Sequence, residues 1–323
     1  MRKSRILSHI TTIVCCLVCI TFVGCGLPAV PADYQQRITN VTRPIERKYI
    51  VNGPYAVSCQ QTALTDKKIK MISVWYPTAM TNSREKFPLV IMANGTGIKA
   101  SAYVPIFQHL ASCGFIVAGN EDEWSGDGRS TSQTLDFMLK ENKRVGSVFH
   151  QHIDVDHIGV AGHSQGGVGV FSAITAWPNG RYYKAAVAMS PTHRELSIGF
   201  MHVDYDISKV GIPLLITASS AAGRLNDGGD GKGNRICGIA DMREDLRLIN
   251  AAHPTVPVVI GRLADKTKNH GDNMMESEPY LAAWFSYWLK NDKSAGKAFM
   301  GNSPEIRNNP RWRDVECVSN NKY

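Results

Sequence analysis

A chain of 323 residues, 43% hydrophobic and 20% charged, can bury a large core and is no disordered polymer, collagen-like fibre or coiled coil. A mean hydropathy of −0.18 and a single long apolar run exclude a multi-span membrane protein. The net charge of +8 is dispersed along the chain with no basic block, which argues against nucleic acid as a partner.

The predicted elements begin with a leader. Arg2, Lys3 and Arg5 precede an apolar stretch over 10–23, and small residues follow at Gly24, Cys25 and Gly26. This is the three-part pattern of a secretory signal peptide over 1–24, with Cys25 as first mature residue. Phe22-Val23-Gly24-Cys25 resembles a bacterial lipoprotein box, so lipid on Cys25 is the expected membrane link, against simple cleavage near Gly24 or Ala29. Removing three basic residues leaves 33 against 28 acids, a mature charge of +5. Residues 25–43 read as a tether and 44–323 as one domain, exported to the cell envelope or the medium. Four mature cysteines (Cys59, Cys113, Cys237 and Cys317) predict one or two disulfides in an oxidising compartment, with the pairing open.

Within the domain, apolar runs alternate with helical patterns. Strands are predicted over 68–76, 87–93, 115–118, 158–161, 185–189, 213–218 and 256–261. Helices are predicted over 103–112, 131–140, 165–177, 242–252 and 279–289. Such alternation implies right-handed crossovers and a mostly parallel sheet covered by helices on both faces, an α/β class.

The motif that carries chemistry is Gly162-His163-Ser164-Gln165-Gly166, between a predicted strand and a predicted helix. A G-x-S-x-G in that context places its serine on a tight, strained turn, where bulky neighbours two positions away would clash. Ser164 is the expected nucleophile. The N–H of Gln165, at a helix N-terminus, is an expected oxyanion donor. The second donor is expected from the loop Asn94-Gly95-Thr96-Gly97, at the N–H of Thr96. A serine hydroxyl needs a base, and the chain order serine, acid, histidine points to His270, in a loop after the last predicted strand. His253 closes a helix, while His193 and His202 come too early. The acid should follow the strand ending near Ala218. Asp227 comes first there, with Asp230 and Asp241 as open alternatives, and Asp265 is a weaker one. His150, His152, Asp154, Asp156 and His157 read as a surface turn rather than a metal site. Glu121, Asp122, Glu123 and Trp124, at a strand's carboxyl end, fit a cleft wall and a solvated loop equally well. No cofactor or metal is expected, since neither a phosphate loop nor a dinucleotide fingerprint occurs.

Together VIMANGTGIKASAYVPIFQHLASCGFIVAG, GVAGHSQGG and NHGDNMMESEPYLAAWFSYWLKND resemble the α/β-hydrolases grouped with cutinase-like polyester hydrolases, dienelactone hydrolase-like proteins and chlorophyllases. The resemblance spans about residues 71–312. It implies an α/β-hydrolase fold, Ser164 as nucleophile, His270 as base and the backbones of Thr96 and Gln165 as the oxyanion hole. Two positions depart from the polyester hydrolases. Gln165 stands where they carry Met, and no Trp occurs in Met189-Ser190-Pro191-Thr192-His193, where they carry one that clamps the substrate ring. The expected activity is serine-dependent cleavage of small or polymeric carboxylic esters through an acyl-enzyme, by a monomer. Acyl transfer or peptide cleavage on the same residues, or a catalytically silent envelope lipoprotein, are the alternatives.

Overall fold

The structure, a computed structural model, describes residues 29–223, 226–228 and 235–318. The expected signal peptide, Cys25 and Asp230 lie outside the described residues.

A nine-stranded sheet runs through the domain in the order β1-β2-β4-β3-β5-β6-β7-β8-β9. The strands are β1 (Val57–Ala63), β2 (Met71–Pro77), β3 (Phe87–Ala93), β4 (Ile116–Asn120), β5 (Ile153–His163), β6 (Tyr183–Met189), β7 (Leu214–Ala218), β8 (Val258–Leu263) and β9 (Trp312–Val318). From β4 through β8 every pairing is parallel, while β1, β2 and β9 join antiparallel at the edges. This is the α/β-hydrolase architecture.

Strand alternation divides the core in two. On β3, Leu89 and Ile91 belong to one apolar cluster and Val90 and Met92 to the other, as period-2 side chains on a sheet buried on both faces must. Helices α4 (Arg129–Lys143), α5 (Gln165–Thr175) and, beyond the one-turn α6 (Arg194–Leu196), α7 (Ile239–Ala252) cover the first face through Leu135, Phe171 and Leu246. Helices α3 (Val104–Ser112) and α8 (Asp272–Lys290) cover the second through Phe107, Leu110, Trp284 and Phe285. His109 of α3 and Glu278 of α8 are joined at 2.6 Å in the second layer. Burial alone would lower the imidazole, but the Glu278 charge prevails and lifts it to about 11.

Three expectations need correction. The sequence pattern predicts the last helix from Pro279 onward, yet α8 starts at Asp272 and runs through that proline. Its buried stripe begins at Met274 and continues beyond the proline, so packing outweighs the local penalty. Residues 29–43 are no free tether. Tyr34 of α1 (Tyr34–Arg37) is 1% exposed, and the Val30 N–H bonds the Ala102 carbonyl at 2.8 Å. Apolar residues hidden in that polar stretch pull it onto the second core layer, followed by α2 (Pro44–Tyr49). Among the described residues no disulfide forms: Cys59, Cys113, Cys237 and Cys317 are all free. Cys59 sits on β1 and Cys317 on β9, at opposite edges of the sheet, too far apart to bridge. Among the described residues no helix is long and apolar enough to cross a membrane.

Candidate active site

Four neighbouring strands end along one edge of the sheet, and each contributes to a single site. Ser164 follows β5, Ser190 follows β6, Asp227 lies in the loop after β7, and His270 in the loop after β8.

Ser164 stands between β5 and α5 with φ 59° and ψ −123°, a conformation L-residues rarely adopt. The turn holds because its neighbours are glycines. A Cβ on Gly162 would lie 2.3 Å from the Gly166 carbonyl oxygen, and one on Gly166 would lie 2.3 Å from that of Ala93. The Ser164 N–H donates to the Met189 carbonyl at 2.9 Å, which ties the turn to the end of β6. Its side chain is half-buried, so the hydroxyl stays within reach of solvent.

His270 is 7% exposed, and its Nδ1 meets Asp227 Oδ1 at 2.7 Å. The other oxygen, Oδ2, accepts from Ser190 Oγ at 2.6 Å and from the Ser219 N–H at 2.7 Å. Burial alone would raise this fully buried carboxyl, but the hydrogen bonds from His270, Ser190 and Ser219 prevail and hold it below the usual carboxylate range. A carboxylate fixed this way keeps the Nδ1 proton on the imidazole and leaves Nε2 free to accept a proton. The backbone N–H of His270 donates to Asn226 Oδ1 at 3.2 Å, and Arg262 holds the same loop through the Gly228 carbonyl at 3.4 Å.

His163, the residue before Ser164, links the elbow to the histidine loop. Its Nε2 lies 2.8 Å from the His270 carbonyl, and the two rings are 4.6 Å apart between centroids. Burial, followed by the neighbouring His270, pushes its imidazole down to about 3, so at neutral pH it is uncharged and its Nε2–H donates.

The loop over 94–97 abuts the elbow, since a Cβ on Gly166 would also lie 2.8 Å from the Asn94 carbonyl. Its shape is fixed by neighbours. Asn94 Nδ2 donates to the carbonyls of Asn120 and Asp122, the Gly95 N–H donates to Tyr103 Oη, and the Gly97 N–H donates to the Glu123 carbonyl. Thr96 is thereby carried half-exposed beside the turn, and Gln165 opens α5, where the first N–H groups have no partner within the helix.

The other acids are accounted for elsewhere. Asp241 pairs with Arg235 at 2.7 Å and accepts the Gly238 N–H at the start of α7. Asp265 bonds Thr267 within its own turn. His253 ends α7. In the turn over 150–157, His157 pairs with Asp154 and His152 with the Glu85 carbonyl, and no group of three or more metal-type side chains occurs among the described residues. Several supporting residues went unnoticed in the sequence: His163, Ser190, Ser219, Asn226 and Asn273, whose Nδ2 donates to Ser190 Oγ at 2.9 Å. The one local hint is the glycine-free positive φ of Ser190 (47°), a property of the backbone that no spacing in the sequence reports.

Comparison with known proteins decides the family. The family described as PET hydrolase-like matches residues 44–222, more than half of the chain. The chain belongs to this family. Membership agrees with the α/β-hydrolase fold of the sheet described above. A PET hydrolase-like chain of this kind is also 25% identical over 203 residues to a bis(hydroxyethyl) terephthalate hydrolase of Streptomyces coelicolor. That match spans 60% of this chain and 61% of the relative's length. The family model ends at residue 222, before Asp227 and His270, so those two residues rest on the geometry described above.

Proposed function

We propose that this protein is an exported serine hydrolase that cleaves carboxylic esters, aromatic diesters among them, through an acyl-enzyme. The observation that carries the reading is the His270–Asp227 pair held at 2.7 Å beside the strained turn that presents Ser164.

His270 Nε2 takes the Ser164 proton as the oxygen attacks the ester carbonyl. Asp227 keeps the imidazole oriented and stabilises the imidazolium that forms. The tetrahedral oxyanion sits on the Thr96 and Gln165 N–H groups, each contributing about 3–4 kcal/mol as donors in comparable sites do. Collapse expels the alcohol, which takes the proton back from His270, and leaves the acyl group on Ser164. Water, deprotonated by the same histidine, then releases the acid. Every step uses groups of this chain and needs no cofactor. Terephthalate esters enter as substrates because the relative is named for one. The N-terminal pattern supports export, with lipid on Cys25 as the membrane link.

The test is hydrolysis of p-nitrophenyl esters from acetate to palmitate by the mature protein and two variants. Ser164→Ala should abolish turnover on every ester. Asp227→Asn should lower kcat by about 10⁴-fold, because it presents the wrong tautomer of His270. Turnover that survives in Ser164→Ala contradicts the mechanism.

A further inference from the structure

The residue that follows β6 is held in a conformation its type does not favour. Ser190 is fully buried with φ 47°, in the left-handed region where glycine is unstrained and other L-residues are not. Strain kept beside a site points to a side chain that the site uses. Here that side chain is a hydroxyl, 2.6 Å from Asp227 Oδ2. The Ser190 N–H goes instead to the Thr217 carbonyl at 2.6 Å, so the hydroxyl carries the link to the acid.

The hydrogen bonds around that hydroxyl run one way. Asn273 lies on the first turn of α8, and its Nδ2 meets Ser190 Oγ at 2.9 Å and Thr217 Oγ1 at 3.1 Å. An amide nitrogen can only donate, so Ser190 Oγ accepts there and keeps its own proton for Asp227. The carboxylate can only accept, which completes the direction. The amide is oriented in turn, because Asn273 Oδ1 accepts from Ser277 Oγ at 2.8 Å, one turn further along α8. Ser190, Thr217, Asp227, Asn273 and Ser277 are all fully buried, where water does not compete for these bonds and each is stronger than at the surface.

We infer that Asn273 and Ser190 are positioning residues, a one-way hydrogen-bond relay that fixes the Asp227 carboxylate against His270 and sets the pH range in which His270 acts as base. This rests on the ester-hydrolase reading of the site. The relay turns the positive end of the Ser190 hydroxyl toward the Asp227–His270 pair, which opposes a positive charge on the imidazole. Without it the carboxylate charge is less spread and the imidazolium is favoured, so His270 stays protonated to higher pH. The other titratable groups facing the pair are His163 from the elbow, Arg262 from β8 and Cys237 from the loop before α7. Asp272 opens α8 with its carboxylate on the Asn269 N–H. The relay can be cut without altering any of these four.

The experiment follows two quantities across the pH range, kcat/KM for p-nitrophenyl acetate and the rate at which a fluorophosphonate labels Ser164. Ser190→Ala and Ser190→Gly should each move the acid limb of both profiles upward by about half a pH unit and lower the plateau about 3- to 10-fold. Ser190→Gly removes the backbone strain together with the hydroxyl. A serine kept only for the shape of its turn therefore predicts a native profile in that variant, and this result overturns the relay. Asn273→Leu, of similar volume, leaves Ser190 in place but frees its proton to turn elsewhere, and should move the limb the same way by less. It decides the matter if the Ser190 variants do not fold. An acid limb that stays in place or moves down in the folded variants contradicts the relay. If the native protein cleaves no acetate ester yet Ser164 is labelled, the labelling profile alone decides. If native Ser164 takes no label at any pH, the ester-hydrolase reading falls and the relay with it.

Discussion

At the scale of single residues, the site is held by charges and protons kept in fixed places. Asp227 is a fully buried carboxylate that three donors hold below its ordinary range, and His163 is a buried imidazole kept neutral. Both shifts have the same sign, and so does their effect on stability. Each folded-state value lies below the unfolded one, so each group stabilises the fold above its unfolded value and loses that contribution as pH falls through the folded one. For His163 the window runs from 6.5 down to about 3. Acidification across it should cost up to about 1.4 kcal/mol per pH unit from this residue. Thermal unfolding of the native protein and of His163→Gln at pH 7 and 4.5 checks this: the native midpoint should fall further. Equal falls would mean that the buried imidazole is not what titrates.

At the scale of elements, the elbow shows sterics deciding against propensity. Alanine at Gly166 would favour α5 by about 1 kcal/mol as a helix former. It would also place a methyl group 2.3 Å from the Ala93 carbonyl oxygen, and both partners are backbone that cannot swing away. Gly166→Ala should therefore destabilise by about 1–3 kcal/mol and shift the turn. Gly199→Ala, where the added methyl meets nothing within 4 Å, should be tolerated. Differential scanning calorimetry of the two variants separates them, and a neutral Gly166→Ala would contradict the packing described.

The same contrast explains what the sequence disclosed. β3 was legible to the residue, because FPLVIMA is apolar on both faces and flanked by polar turns. Edge strands β1 and β9 were not, because VSCQQTA and WRDVECV are largely half-exposed and carry polar residues that mimic loop. The elbow stood out because its glycines answer a local steric demand. His270 followed from chain order, while the acid stayed open among Asp227, Asp230 and Asp241, with Asp265 a weaker alternative. Only the fold pairs His270 with Asp227 and sends Asp241 to Arg235. The supporting hydrogen bonds of Ser190, Asn226, Asn273 and His163 join residues 37 to 107 positions apart, and no spacing rule reaches that far.

At the scale of the whole molecule, parallel pairing is what makes the site. Strands β5 to β8 lie side by side and point the same way, so their carboxyl ends bring Ser164, Ser190, Asp227 and His270 to one edge. Two serines therefore share that edge, and Ser190 Oγ donates to the Asp227 carboxylate. The account makes Ser164 the nucleophile and Ser190 a support for the acid. The measurement that separates them most directly is mass-spectrometric mapping of a fluorophosphonate adduct on the mature protein. The account predicts one adduct per chain, on the peptide carrying Ser164, lost in Ser164→Ala and strongly slowed in His270→Ala. No adduct, or an adduct on Ser190, would contradict it.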